Sequence, residues 1–200
     1  IYAGIGADTI TLTETTAAED KIYLTNTTDI KSTADTISGF TSADKIYIDV
    51  SASGQFGDLH NGAGTAFDDD EEAAVVNSVD LNDVAEGKGH ASATGNIFSF
   101  DNDATDLTLG YTGFAGLNSR LNAVNTIENS AGADFANGDE LLSVYYNTTT
   151  DTYDVGIITI ASAEGADGLA GTTDTWEHLL SVDSTGVTQA QVASSIVFFS

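Results

Sequence analysis

A mainly β fold, opening as a short β-solenoid and continuing as a mixed β domain with one to three short helices, follows from three observations. First, a turn-strand-turn-strand unit occurs twice: Ala7-Asp8-Thr9-Ile10 then Asp20-Lys21-Ile22-Tyr23-Leu24, and Ala34-Asp35-Thr36-Ile37 then Asp44-Lys45-Ile46-Tyr47-Ile48. The copies are about 25 residues apart, a period that signals stacked repeats. Second, the apolar residues elsewhere fall in short alternating bursts, as half-buried strands require. Third, 41% of residues are hydrophobic, so a folded acidic domain fits better than a disordered one.

Each part of the repeat has a physical reason. One short strand cannot bury its apolar side alone, whereas units stacked at strand spacing bury a continuous row of Ile and Leu. Gly4 and Gly6 suit the bend, because glycine adopts positive φ at little cost and lets carbonyls turn inward toward a small cation. Asp8 then supplies charge. Residues 1–50 form this unit and 51–200 the mainly β remainder. Opening on Ile1 in mid-repeat, without an initiator methionine, the chain reads as the end of a longer polypeptide.

Past Val50 the sequence turns Gly- and Ser-rich. Phe67 to Asn77, with acids Asp68 to Glu72 at its start, reads as a helix packing through Val75, Val76 and Val79. Its acids serve either as a solvated helix start or as a cation cluster. Asn96 to Phe100 and Leu107 to Tyr111 read as strands. Between them Asp101, Asp103 and Asp106 are either turn formers or a calcium site unlike an EF-hand, which would need a glycine at the sixth position and a later Glu. Leu117 to Ile127, with Leu117, Leu121 and Val124 at helical spacing, reads as a short helix. Leu141 to Tyr146 and Thr152 to Ile160 form a hairpin, Asp174 to Val182 a strand, and Thr188 caps a short helix leading to Ile196-Val197-Phe198-Phe199.

Five Lys and Arg stand against 31 Asp and Glu, a net charge of −26. Nucleic acid and anionic membrane surfaces are poor partners for such a chain, and cations good ones. Two carboxylates 4 Å apart repel by roughly 4 kcal/mol at an effective dielectric near 20. Either divalent ions or high salt relieves that repulsion, so calcium sites and salt adaptation both account for the acidity. With no cysteine there are no disulfides or thiolate metal sites. No apolar run is long enough for a membrane span.

The segment Ala3-Gly4-Ile5-Gly6-Ala7-Asp8-Thr9-Ile10-Thr11 resembles the Gly- and Asp-rich nonapeptide of RTX proteins, with Ala3 in place of the first glycine. Ile37 to Ile48 is similar to the segment that closes such arrays. The resemblance implies Ca²⁺ held by Gly4, Gly6 and Asp8, and extends by position to Asp20, Asp35 and Asp44. The Tyr-rich hairpin, the strand ending in Leu179-Leu180 and the apolar tail Ser195 to Ser200 also resemble the closing region of RTX and S-layer proteins. That implies type I secretion, with an export signal within about 180–200. The same tail reads equally as a last core strand.

No G-x-S-x-G elbow, H-E-x-x-H or phosphate-binding loop is present, and His60, His90 and His178 are scattered, His90 in a glycine-rich loop. The expected function is therefore structural rather than enzymatic: a secreted, extracellular cell-surface region that folds with calcium and self-associates into a lattice. A carbohydrate-binding adhesin module recognising a surface glycan is the alternative, favoured if Trp176, Tyr145, Tyr146 and Tyr153 share one exposed face. The C-terminal tail of a secreted protease or lipase is the other.

Overall fold

Short strands with one apolar side need a second layer to bury it. The computed structural model describes residues 1–2, 6–13, 16, 18–25, 34–50, 59, 76–80, 89–90, 96–101, 111–117, 127–128, 136–160 and 175–199, and the fold is mainly β. Strands β1 (Thr9–Thr11), β2 (Lys21–Leu24), β3 (Asp35–Ser38) and β4 (Lys45–Asp49) come from the two repeats. They are followed by β5 (Val76–Asp80), β6 (Gly89–His90), β7 (Ile97–Asp101), β8 (Ile127–Glu128), β9 (Glu140–Asn147), β10 (Thr152–Thr159) and β11 (Thr175–Asp183). Helix α1 (Gln189–Ser194) and strand β12 (Ile196–Phe199) end the series.

The repeats align strand on strand. β1 lies parallel to β3 with Ile10 beside Ile37, and β2 lies parallel to β4 with Ile22 beside Ile46 and Tyr23 beside Tyr47. After the long excursion from Val50 the chain returns and extends both ladders: β11 runs parallel to β3, and β12 runs parallel to β4. The result is a seven-stranded sheet in the order β1-β3-β11-β10-β9-β7-β5, facing a three-stranded sheet in the order β12-β4-β2. β6 and β8 form a separate parallel pair.

Alternation puts Ile10, Ile22, Ile37, Ile46, Ile48, Ile196 and Phe198 between the layers, where they join Leu142, Val144, Val155, Ile157 and Val182 in one cluster. Residues on both sides of Val50 therefore share a core. Each fully buried Ile or Phe contributes about 1.5–3 kcal/mol. The other side of the seven-stranded sheet buries Phe98, Phe100, Leu141, Tyr145 and Ile158 against Leu117 and Phe114 of a helical turn over 113–117. Central strands β9 and β10 are thus buried on both faces, which explains why apolar residues stand next to one another along them, as at Leu141-Leu142 and Ile157-Ile158.

Helix α1 begins where its residues dictate. Thr188 is the N-cap, its hydroxyl accepting from Gln191 N while the Gln191 side chain accepts from Thr188 N. Val192 and Ala193 face the core. The Gln189 amide donates to Ser99 Oγ and Phe100 O, each at 2.9 Å, and lies 3.2 Å from Val144 O, fastening the helix across β7 and β9.

Two expectations are corrected. Val76 opens a strand, parallel to β7, rather than lying in a helix, because pairing with Ile97 outweighs the acidic helix-start pattern before it. His90 lies in β6, paired with β8, rather than in a loop. The rest of 67–75, the strand at 107–110 and residues 118–126 of the helix read from Leu117 to Ile127 lie outside the described residues, and Ile127 lies in β8 instead. No helix among the described residues is long and apolar enough to cross a membrane.

Gly39 follows β3 at φ 76°, and a Cβ there would run into the carbonyl oxygen of Leu12 on the neighbouring unit. Gly138 has φ 96° with open space around it. Gly138→Ala is expected to lose about 1–2 kcal/mol from left-handed strain alone, and Gly39→Ala clearly more. Urea denaturation of both variants measures the difference, and equal losses would show that the close approach to Leu12 is not limiting.

Candidate functional site

The acidic residues of the repeats sit at matching places. Asp35 opens β3, and Asp44 immediately precedes β4. The amide of Asp8 donates to Asp35 Oδ1 at 2.9 Å, and its carbonyl accepts from Thr36 N at 2.9 Å. The same arrangement recurs in the other sheet: the amide of Asp20 donates to Asp44 Oδ1 at 2.9 Å, and its carbonyl accepts from Lys45 N at 2.9 Å. In each case a carboxylate stands where the next ladder carbonyl would be, so an aspartate of one unit clasps the aspartate of the other on both its backbone groups. The bonds span 27 and 24 residues, the same offsets as the strand registers.

Asp44 is 1% exposed and is also bonded within its own turn, accepting from Thr41 N at 2.7 Å and Thr41 Oγ1 at 3.1 Å. Asp35 is 4% exposed. Burial raises the pKa of its carboxyl above the ordinary value of 3.8, the Asp8 amide opposes that rise, and the negative charge of Asp8 adds to it. The folded chain thus holds a proton on Asp35 more tightly than the unfolded chain does. Its ionisation costs stability: the penalty is absent below the unfolded value, grows as pH rises through the folded value and is complete above it.

Gly6 has φ 113°, and Asp8 and Asp20 are partly exposed beside the buried pair. Asp101 ends β7 with its backbone in register with Asp80. Gly4, Asp103 and Asp106 lie outside the described residues. The structure therefore brings Asp8 to Asp35 and Asp20 to Asp44. Among the described residues, no group of three or more His, Cys, Asp or Glu is placed to hold a metal ion.

A second acidic centre escaped the sequence reading. Asp154, 2% exposed, lies on the side of β10 turned away from the three-stranded sheet. Its Oδ1 accepts from Thr152 Oγ1 and Ser181 Oγ, each at 2.8 Å, and its Oδ2 from Asn147 Nδ2 at 2.7 Å and Tyr145 OH at 3.1 Å. Four donors fill the four lone-pair positions of the carboxylate. His178 Nε2 lies 3.0 Å from Ser181 Oγ and 3.6 Å from Asp154 Oδ1. A hydrolytic triad would direct the acid and the hydroxyl to opposite ring nitrogens. Here both meet Nε2, so the arrangement fastens β9, β10 and β11 together. Burial first, then the charge of Asp154, pushes the Tyr145 phenol far above its usual range, keeping it a donor. Asn147, which opens an N-x-T sequon, is buried in the same network.

The aromatic residues whose place on one exposed face would favour the adhesin alternative are divided. Tyr145 and Trp176 pack in the cluster beneath 113–117, whereas Tyr153 packs against the core between the sheets, with Tyr146 beside it. No protein-family model, curated protein or solved structure matches the chain.

The two kinds of aspartate lead to different expectations. Asp35→Ala removes the acceptor for Asp8 N and is expected to cost about 1–3 kcal/mol. Asp35→Asn keeps an acceptor and removes the buried charge, so it is expected to lose clearly less stability at pH 7 than Asp35→Ala. Parallel urea curves decide; an equal loss in both variants would mean that the charge itself stabilises. Asp154→Ala leaves four donors facing a cavity, and a loss of about 3–5 kcal/mol is expected. Retention of parental stability would show that the network is dispensable.

Proposed function

We propose that this chain is a structural region of a secreted cell-surface protein, related to the RTX and S-layer group it resembles. In this reading the two repeats and the returning strands are rungs of a short β-solenoid. Calcium completes that solenoid outside the cell, and folded copies assemble into a surface layer. Low calcium inside the cell keeps the chain unfolded and exportable by type I secretion, and extracellular calcium, at affinities of about 10⁻⁴ to 10⁻³ M, folds it.

The observation that carries the reading is the pair of equivalent aspartate clasps, Asp8 with Asp35 and Asp20 with Asp44. They concentrate carboxylates at the same level of successive units, and Asp35 is already held above its ordinary pKa by burial and by Asp8. A divalent ion at this end of the strands, where the Gly6 bend turns the backbone, would remove that penalty and leave the hydrogen bonds in place. At about 100 times its dissociation constant, one such ion adds roughly 2.7 kcal/mol. The ligands proposed are Gly4, Gly6, Asp8 and Asp35 at one clasp and Asp20 and Asp44 at the other, with Asp101, Asp103 and Asp106 as a separate group.

The test is a calcium titration of the purified chain from chelator at constant ionic strength, followed by circular dichroism and light scattering. A cooperative gain of β signal that magnesium does not reproduce is expected, with scattering rising over the same range. Asp8→Asn is expected to move the midpoint to higher calcium. A chain already folded in chelator and indifferent to calcium would overturn the proposal and assign the acidity to salt adaptation.

A further inference from the structure

The clasps have a direction. In each, the carboxylate belongs to the later unit and the backbone it holds to the earlier one: Asp35 takes the amide of Asp8, and Asp44 that of Asp20. The side chains of Asp8 and Asp20 take no part, and among the described residues neither carboxylate has a hydrogen-bond partner. Both belong to the first unit, whose strands β1 and β2 are the end strands of their sheets.

The opposite end is closed. β11 sets Leu180 beside Asp35, and β12, with Ile196 beside Ile46, sets Ser194 level with Asp44. Neither offers a carboxylate. The Asp44 amide donates instead to Thr41 O at 3.1 Å within its own turn, and β10 covers the far side of β11.

The open end already carries the start of a further rung. Ile1 N donates to Lys21 O at 2.6 Å, Tyr23 N donates to Ile1 O at 2.9 Å, and the Tyr2 ring stacks on Tyr23 at 4.8 Å, as Tyr23 does on Tyr47 at 4.9 Å. Tyr2 thus repeats the place of Tyr23 and Tyr47, and Ile1 that of Ile22 and Ile46. Ile1 and Tyr2 are the exposed large apolar residues among those described, 45% and 67% accessible, whereas Ile22 and Ile46 are fully buried. In the other sheet Asp8 O and Leu12 N bond to β3, so ladder alternation turns the amides of Thr9 and Thr11 to the open edge.

We propose that this edge receives one more turn-strand-turn-strand unit, continuous with Ile1 and added in parallel, whose backbone amides are taken by the Asp8 and Asp20 carboxylates. The carbonyls at those two points accept from Thr9 N and Lys21 N, as Asp8 O and Asp20 O accept from Thr36 N and Lys45 N. Acids can also guard an edge against pairing, but these two stand just ahead of their strands, at the acceptor places that Asp35 and Asp44 fill one rung later. No bound ion is required, and a carboxylate has lone pairs enough to serve an amide and an ion together.

The test joins a copy of residues 7–21 directly ahead of Ile1 in the full chain, so that the copied Lys21 precedes Ile1-Tyr2 as Lys21 precedes Ile22-Tyr23. Amide hydrogen exchange at Thr9, Thr11 and Lys21 is compared with the parent, at a calcium concentration that gives each chain its full β signal. Exchange about fivefold slower or more is expected in the extended chain, and parental rates with a scrambled copy. Asp8→Ala/Asp20→Ala in the original unit leaves the existing clasps intact, so it is expected to remove the slowing in the extended chain and to change little in the parent. Asp8→Asn/Asp20→Asn, which keeps an acceptor, is expected to retain most of it. Parental exchange in the extended chain, or equal slowing by the scrambled copy, would overturn the inference and leave the acids as a guard on an exposed edge. Protection in the parent that grows with its own concentration would assign the edge to a second copy instead.

Discussion

The fold depends on two carboxylates that act as backbone. Asp35 and Asp44 accept the amides of Asp8 and Asp20, while the following residues, Thr36 and Lys45, donate to the carbonyls of those same aspartates. A parallel ladder has no hairpin to fix its register, so something else must do so. Here each clasp fixes it at the start of a strand pair, and Ile then falls on Ile and Tyr on Tyr down the ladder. A slip by one residue would turn Ile10, Ile22, Ile37 and Ile46 out of the core.

The later part of the chain closes what the repeats begin. β11 and β12 add a parallel strand to each ladder, and α1, capped by Thr188 and tied down by Gln189, bridges them. Strand β11 also pairs antiparallel with β10, which joins the ladders to the β9–β10 hairpin. Where β11 bends, Gly156 leaves room for Trp176 and the Glu177 carbonyl, and Asp154 gathers donors from all three strands. Two kinds of buried acid thus do different work: Asp154 is saturated by donors, whereas Asp35 remains costly to ionise.

Much of this was legible in the residues. The repeat at Asp8, Asp20, Asp35 and Asp44 marked the paired ladders because identical residues recur at fixed order, and Thr188 with Gln191 marked the helix start. The hairpin ends were readable from Asn147 to Asp151, where Thr149 N donates to Asn147 Oδ1 and Asp151 takes φ 58°. What stayed hidden was partnership across long separations. Tyr145, Asn147, Thr152 and Asp154 alternate along the hairpin, so a shared polar side was readable there, but Ser181 and His178 join only through the pairing of β10 with β11. The one-way direction of the clasps was likewise invisible, because it needs the register of both ladders. Val76 was misread because an acidic run before apolar residues fits a helix start locally, and only β7 beside it makes the strand favourable.

A chain built this way keeps its charge where an ion can change its stability. Buried Asp35 beside Asp8 makes the stack weaker when ionised and uncompensated, and the calcium proposed for this end of the strands would relieve that cost. The most direct measurement is residue-resolved amide hydrogen exchange in calcium and in chelator, at one ionic strength. The account expects the amides of Asp8, Asp20, Thr36 and Lys45 to be protected with calcium and to lose that protection together without it. Equal protection of these four amides in both conditions would contradict it.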